Sequence, residues 1–390
     1  MKTIETQIVY NKAGFIKRKT AFLTLFLFFS ILFLSTINAQ TYTGDIHLKN
    51  QDDLNKALSA GGILEHISDI KGTLIIGDKT NGSDITTLTA LSKIKTISKG
   101  LYIIGNLKLK SLKGLEALVK VANIEVLANI CLENLEGLNN LKTVEEYFRI
   151  AHNTALISFK GLTNLQTVGE FEVFLNSKLN SCEGLEQLTT VTTHLTIDDN
   201  DELLTIAALQ IKSIGEALKI SGNQKLTTLK GLEKITSIKT LIINDNKSLT
   251  TLQGLEHLES INKGALIRGN DALENLDGLQ NLKTLGAYLD IWSNNSLVSL
   301  VALQNITKIG GELHIADNKA LPNLDGFEHL KSVGSLSIRN NLKLENYCAI
   351  KNLFKNSVNT EAESKDNFEI KYNNYNPSLA DLNTGKCSKI

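Results

Sequence analysis

Only two prolines, one methionine and one tryptophan occur among 390 residues, and neither charge sign is in excess, with 41 Lys plus Arg against 41 Asp plus Glu. That balance removes the electrostatic footprint expected of nucleic-acid or anionic-lipid binding. No proline-rich or low-complexity linker divides the chain. After Leu34 no apolar run is long enough for a bilayer, and the polar end Lys386-Cys387-Ser388-Lys389-Ile390 lacks the hydrophobic tail of a lipid-anchor signal. Also missing are H-E-x-x-H, a Cys/His pair at zinc spacing, a nucleophile elbow and a phosphate loop, so no metal, cofactor or catalytic centre is expected.

The early apolar run, Ala21 to Leu34, follows Lys12, Lys17, Arg18 and Lys19 and precedes Ile37-Asn38-Ala39. This is the layout of a secretory signal peptide cleaved near Ala39, the alternative being an uncleaved anchor. The expected organisation is signal peptide 1–39, N-terminal cap 40–71, repeat solenoid 72–345 and C-terminal cap 346–390. The mature chain is then secreted or at the cell surface, with no membrane span after signal cleavage.

What is abundant is a repeat. An asparagine returns every 23 or 24 residues, at Asn106, Asn129, Asn153, Asn176, Asn200, Asn223, Asn246, Asn270, Asn294, Asn318 and Asn341. Around each lies the frame L-x-I-x-x-N-x-x-L-x-x-L-x-G-L-x-x-L-x-x-I. A fixed period of this size marks a solenoid whose coils cannot bury their apolar side alone. Leu289 and Ile291 alternate with polar neighbours, the period-two pattern of a short strand with one buried side. The same pair recurs as Leu195/Ile197, Leu218/Ile220 and Leu313/Ile315, so the expected fold is mainly β, a parallel β-solenoid of about 11–12 coils with caps at both ends. Stacked asparagines can satisfy turn backbone and one another without water. Gly-Leu recurs in a fixed slot, with Ala208 and Ala302 as exceptions, so small size is expected to matter more than positive φ there.

The cysteines read individually. Cys348 and Cys387 flank the segment after the last frame and are expected to pair, closing a long loop worth on the order of 4 kcal/mol in the chain-entropy model. Cys182 stands where nearly every other repeat has a core apolar residue and reads as a small buried hydrophobe; Cys131 lies two coils away, too far to bridge it without strain.

The frame resembles the receptor L-domain family, leucine-rich-repeat-like solenoids of growth-factor receptor ectodomains and exported bacterial proteins. The likeness rests on Ile70-Lys71-Gly72-Thr73-Leu74-Ile75-Ile76 and Ile97-Ser98-Lys99-Gly100-Leu101-Tyr102-Ile103, followed by repeated Asn-x-x-Leu and Gly-Leu over about residues 45–350. Ordinary leucine-rich repeats have Asn-x-Leu instead. The resemblance implies a right-handed coil with little helix, used for recognition. The receptors' cysteine-rich modules, membrane span and kinase region have no counterpart, so signalling is not carried over.

Two columns flank the strand positions and vary at every coil while the core columns hardly change, which marks the outer sheet face as free to specialise. Tyr102, Ile104, Leu127 and Phe174 form an apolar strip of partner-surface character. Trp292 is flanked by Arg268, Asp290, Leu266 and His314, a setting that suits a sugar or a protein hot spot. The plainer reading is that Trp292 packs against adjacent rungs. Asp198-Asp199-Asn200-Asp201-Glu202 lacks the spacing and glycine of a calcium loop and reads as a solvated acidic turn. Asp198 and Asp245 are two coils apart, roughly 10 Å, with no third carboxylate between, which disfavours a polysaccharide-cleaving β-helix. The expected role is a non-enzymatic module binding protein or glycan outside the cell. The runner-up is a structural surface or adhesin component.

Overall fold

Each Leu-x-Ile pair puts two apolar side chains on one side of an extended segment, and only stacking of coils removes them from water. In a computed structural model that describes residues 40–353 and 367–389, parallel strands stack into a mainly β solenoid of about 12 turns. From Thr41 the chain is one compact unit. The signal-peptide reading falls on 1–39, outside the described residues. Among the described residues no helix is long and apolar enough to cross a membrane.

The stack opens with β1 (Gln40–Thr43) and β2 (Ile46–Leu48), and helix α1 (Gln51–Leu58) packs against β2 with Leu54 fully buried. β3 (Ile67–Lys71) and β4 (Leu74–Ile76) follow. The next rungs are long strands: β5 (Thr96–Ile104), β6 (Lys120–Leu127), β7 (Thr143–Ala151) and β8 (Thr167–Phe174). They are longer than the Leu-x-Ile core because a second apolar position upstream, Ile97, Val121, Val144 and Val168, is also buried, with a register shift between the two. In other coils that shift splits the rung, as in β9 (Thr190–Val191) and β10 (His194–Asp198), or β11 (Ser213–Ile214) and β12 (Ala217–Ser221). β13 (Ser237–Asn244) and β14 (Ser260–Arg268) are continuous again. β15 (Thr284–Leu285), β16 (Tyr288–Trp292), β17 (Lys308–Ile309), β18 (Glu312–Ala316) and β19 (Ser335–Arg339) complete the regular stack.

Register is set by the core columns. Leu289 pairs with Leu313 and Ile291 with Ile315, and the remaining apolar positions of that coil, Leu297, Leu300, Leu303 and Ile306, are fully buried. Burying one such side chain contributes roughly 1.5–3 kcal/mol, so every coil adds to one continuous core.

The asparagine column is a hydrogen-bonded ladder. Asn200 N–H donates to Asn223 Oδ1 at 3.2 Å, and Asn223 N–H to Asn246 Oδ1 at 3.1 Å. Each Nδ2 also reaches back to the preceding rung, as Asn223 does to Ile197 O at 2.9 Å. The residue before each of these asparagines sits in the left-handed region, at φ 56° for Ala128, 57° for Leu175 and 54° for Asp245, with Gly105, Gly222 and Gly269 in the same slot. That conformation costs roughly 1–2 kcal/mol for a residue with a Cβ, so the ladder imposes it against local preference.

The C-terminal segment differs from a plain cap. β20 (Phe368–Lys371) is a further parallel rung on β19, and Asn373 continues the ladder by accepting from Asn341 N–H at 2.9 Å. Asn376 then supplies the acceptor that a following coil would have given, taking Asn373 N–H at 3.0 Å. Tyr347 to Phe354 reads as helical in sequence, and Cys348–Leu353 is a 3-10 turn. Cys348 bonds to Cys387, and α2 (Leu379–Asn383) starts with a Ser378/Asp381 capping box.

Cys131 and Cys182 are free. Cys182 lies above Phe159 in the core stack, beside Phe171, whose ring centroid is 6.1 Å from that of Phe159. The smaller residue makes room for the two rings, and burial pushes its thiol pKa up to about 12. Cys182→Leu should therefore overpack and lower stability by about 1–3 kcal/mol, read as the denaturation midpoint. A stabilised variant would mean that the Phe cluster is loosely packed.

Candidate binding face

The register brings the predicted residues together in two rows on the outer face. In the first row Ile104 pairs with Leu127, Leu127 with Ala151 and Ala151 with Phe174. Ala151 is fully buried on this outward side because its larger neighbours cover it. The apolar character continues onto the neighbouring turns, where Leu107, Ile130 and Leu175 are 43%, 46% and 41% exposed. In sequence Leu107 and Ile130 each follow a ladder asparagine.

Tyr102 sits beside this row, bedded on Gly100, with its hydroxyl 3.0 Å from that of Tyr147. Burial, and then that hydrogen bond, hold the Tyr147 hydroxyl protonated well above its ordinary range. Arg149 lies 5.5 Å from the Tyr147 ring centroid, between Glu172 at 2.6 Å and Glu125 at 3.3 Å. The apolar row is thus bordered by a fixed row of alternating charge.

The second row holds the tryptophan cluster. Leu266 pairs with Asp290 and Asp290 with His314; Arg268 pairs with Trp292. The Arg268 guanidinium stacks 4.8 Å from the Trp292 ring, and Trp292 Nε1–H donates to Asp317 Oδ2 at 2.7 Å. The packing interpretation of Trp292 is therefore realised, and its one polar handle is already committed. Asp290 Oδ1 and His314 Nδ1 are 3.0 Å apart, while His314 Nε2 is buried without a partner. On the same strand Tyr288, 37% exposed, lays its ring over Gly264 of the preceding coil; a Cβ there would come within 2.5 Å of Tyr288 Cε1. The sequence does not mark Tyr288, which lies one position before the Leu289/Ile291 pair and outside the two varying columns.

Between the rows the face is polar. Asp198 pairs with the Lys219 ammonium, and further along Ser221 Oγ and Asn244 Oδ1, on registered neighbours, are buried without partners. The acidic turn keeps Asn200 buried in the ladder, and burial, then Asp198 and Asp201, raise the Asp199 carboxyl above the usual carboxylate range. Among the described residues no cluster of three or more His, Cys, Asp or Glu is arranged to hold a metal ion.

The polar back of the coils carries a second set of hydrogen bonds. Glu116, Glu186, Glu233 and Glu328 each accept the N–H of the Gly two residues earlier, at 2.8–2.9 Å. Asn140, Asn164, Asn281 and Asn305 reach carbonyls of the preceding coil at 2.6–2.7 Å. The glutamates thus fix turns within a coil and the asparagines tie each coil to the one before it. No family model, curated protein or solved structure matches the chain.

Proposed function

We propose that this chain is an exported or cell-surface recognition module of receptor L-domain-like type, without enzymatic activity, that binds a protein or glycan through its variable sheet face. The observation that carries this reading is the contrast between columns. Core positions repeat leucine and isoleucine and are buried throughout, while the outward positions change at each rung and gather a continuous apolar row from Ile104 to Phe174. An apolar row with half-exposed leucine and isoleucine at its margin, rimmed by charge, has the make-up of an interaction surface. Against glycan cleavage by a carboxylate pair, Asp198 is already ion-paired with Lys219.

The test is binding of the mature chain to a panel of extracellular glycoproteins and polysaccharides. Leu127→Asp or Phe174→Asp should weaken a saturable interaction by about tenfold or more, the scale of a lost hot-spot contact, with the melting temperature nearly unchanged. Lys234→Ala on the back should have no effect. A binder retained equally by all three variants would refute use of the apolar row for recognition.

A further inference from the structure

Three arginines stand among the described residues, and two of them are held by carboxylates. Arg149 sits between Glu125 and Glu172, and Arg339 lies 3.9 Å from Glu369. Arg268 alone has no carboxylate within ion-pair distance and no side-chain hydrogen bond to the described residues; its exposed guanidinium rests on the Trp292 ring. The other cations on this stretch of the outer face are committed, Lys219 to Asp198 and His314 to Asp290. So are the nearby acids: Asp245 and Asp271 face Lys247, and Asp317 accepts from Trp292 Nε1. The ground beside Arg268 is apolar. Ile242 and Leu266 are half-buried registered neighbours one column over, and Tyr288 is 37% exposed.

We propose that Arg268 anchors an acidic segment of a partner protein. One Asp or Glu carboxylate of that segment pairs with the guanidinium, and apolar residues beside it cover Ile242, Leu266 and Trp292. Stacking on an indole fixes the plane of the guanidinium, so its forked donors are already oriented for a carboxylate. Apolar neighbours that exclude water on docking strengthen the pair, and Trp, Tyr and Arg are the residue types that dominate binding energy at protein interfaces. A neutral sugar would leave the charge unmet. A polyanion such as a sulfated glycan would bring its further charges against Asp245, Asp290 and Asp317, where like charges cost affinity. One unpaired cation in apolar ground fits a single carboxylate. The proposal rests on the recognition reading of the sheet face but uses β13, β14 and β16, beyond the apolar row.

The experiment selects short random peptides displayed on phage against the mature chain and synthesises the enriched ones with blocked ends. They should carry one Asp or Glu flanked by apolar residues and shift Trp292 emission saturably. Changing that acid to its amide should weaken binding by about tenfold or more. Arg268→Gln should cost as much, and Arg268→Lys most of it, because an ammonium offers no fork. The peptide and protein losses should not add, as expected of two groups that contact each other. Arg268 is exposed, so neither variant should lower the melting temperature, and Leu127→Asp should leave peptide binding unchanged. Enriched peptides without an acid, or with equal affinity for wild type and Arg268→Gln, would overturn the assignment. So would a failure to enrich any peptide, or heparin binding through Arg268 more tightly than every peptide. A partner protein weakened by Leu127→Asp but indifferent to Arg268→Gln would remove this anchor and keep the recognition reading.

Discussion

Replacing Asn223 with leucine is expected to lower the unfolding free energy by about 4 kcal/mol, although leucine is the commonest core residue of the repeat. The side chain is fully buried and bonds in both directions. Its Oδ1 accepts from Asn200 N–H at 3.2 Å, and its Nδ2 donates to Ile197 O at 2.9 Å and Ser221 O at 2.8 Å. Leucine would strand the Asn200 N–H and the Ile197 carbonyl in a site that excludes solvent, at roughly 1–3 kcal/mol for each group, and also remove the bond to Asn246. Asn281→Leu is the control: its Nδ2 bonds Glu256 O at 2.7 Å but is exposed, so water can replace it and the loss should stay under about 1 kcal/mol.

A solenoid adds a second observable. Because each coil contacts only its neighbours, weakening the middle rung lowers the coupling between the two halves, and unfolding should broaden or split into two transitions. Equal denaturation midpoints for Asn223→Leu and Asn281→Leu would show that the inner ladder is no more important than the outer one.

The rungs were legible because a period of 23–24 residues with Leu-x-Ile before each asparagine leaves one parallel register that buries all apolar columns. The rung at Phe368-Glu369-Ile370-Lys371-Tyr372-Asn373 obeys the same frame, yet it lies 32 residues after Asn341 and so falls outside any search by period. The left-handed column was half written, in Gly105, Gly222 and Gly269 and in Asp199, Asp245, Asp317 and Asn340, residues that tolerate it. Leu175, Ala128 and Tyr372 hide it, because the turn there is enforced by neighbouring rungs and not by its own residues. At the candidate site the columns named Trp292, Arg268, Asp290 and His314 as neighbours. Which polar atoms remain unpaired depends on side-chain reach across rungs. Ser221 and Asn244 therefore carried no signal in the sequence.

The Gly-Leu slot requires positive φ as well as small size, against the expectation drawn from the sequence, and Gly254→Ala tests it. Gly254 has φ +115°, and a Cβ would lie 2.0 Å from Leu229 O, 2.2 Å from Leu229 C and 2.7 Å from Lys230 N, all backbone of the preceding coil. Leu229 N–H also donates to Gln253 O at 2.8 Å, so the two coils cannot part at this point without losing a bond between rungs. Backbone strain of this kind costs roughly 1–3 kcal/mol and overpacking a similar amount, so alanine should destabilise by about 3–5 kcal/mol. Size alone is not the rule, contrary to what Ala208 and Ala302 imply in the sequence. Neither alanine has positive φ, and Ala302 sits in a 3-10 turn, Val301–Leu303, that replaces the glycine geometry. Those coils changed their backbone; they did not fit a methyl into the same one. Ala302→Gly should accordingly cost no more than about 1 kcal/mol, chiefly by loosening the unfolded chain. A Gly254→Ala protein that melts with wild type would mean that adjacent coils can slide apart here, and that the close approach at each glycine is a consequence of the small residue and not a condition of the stack.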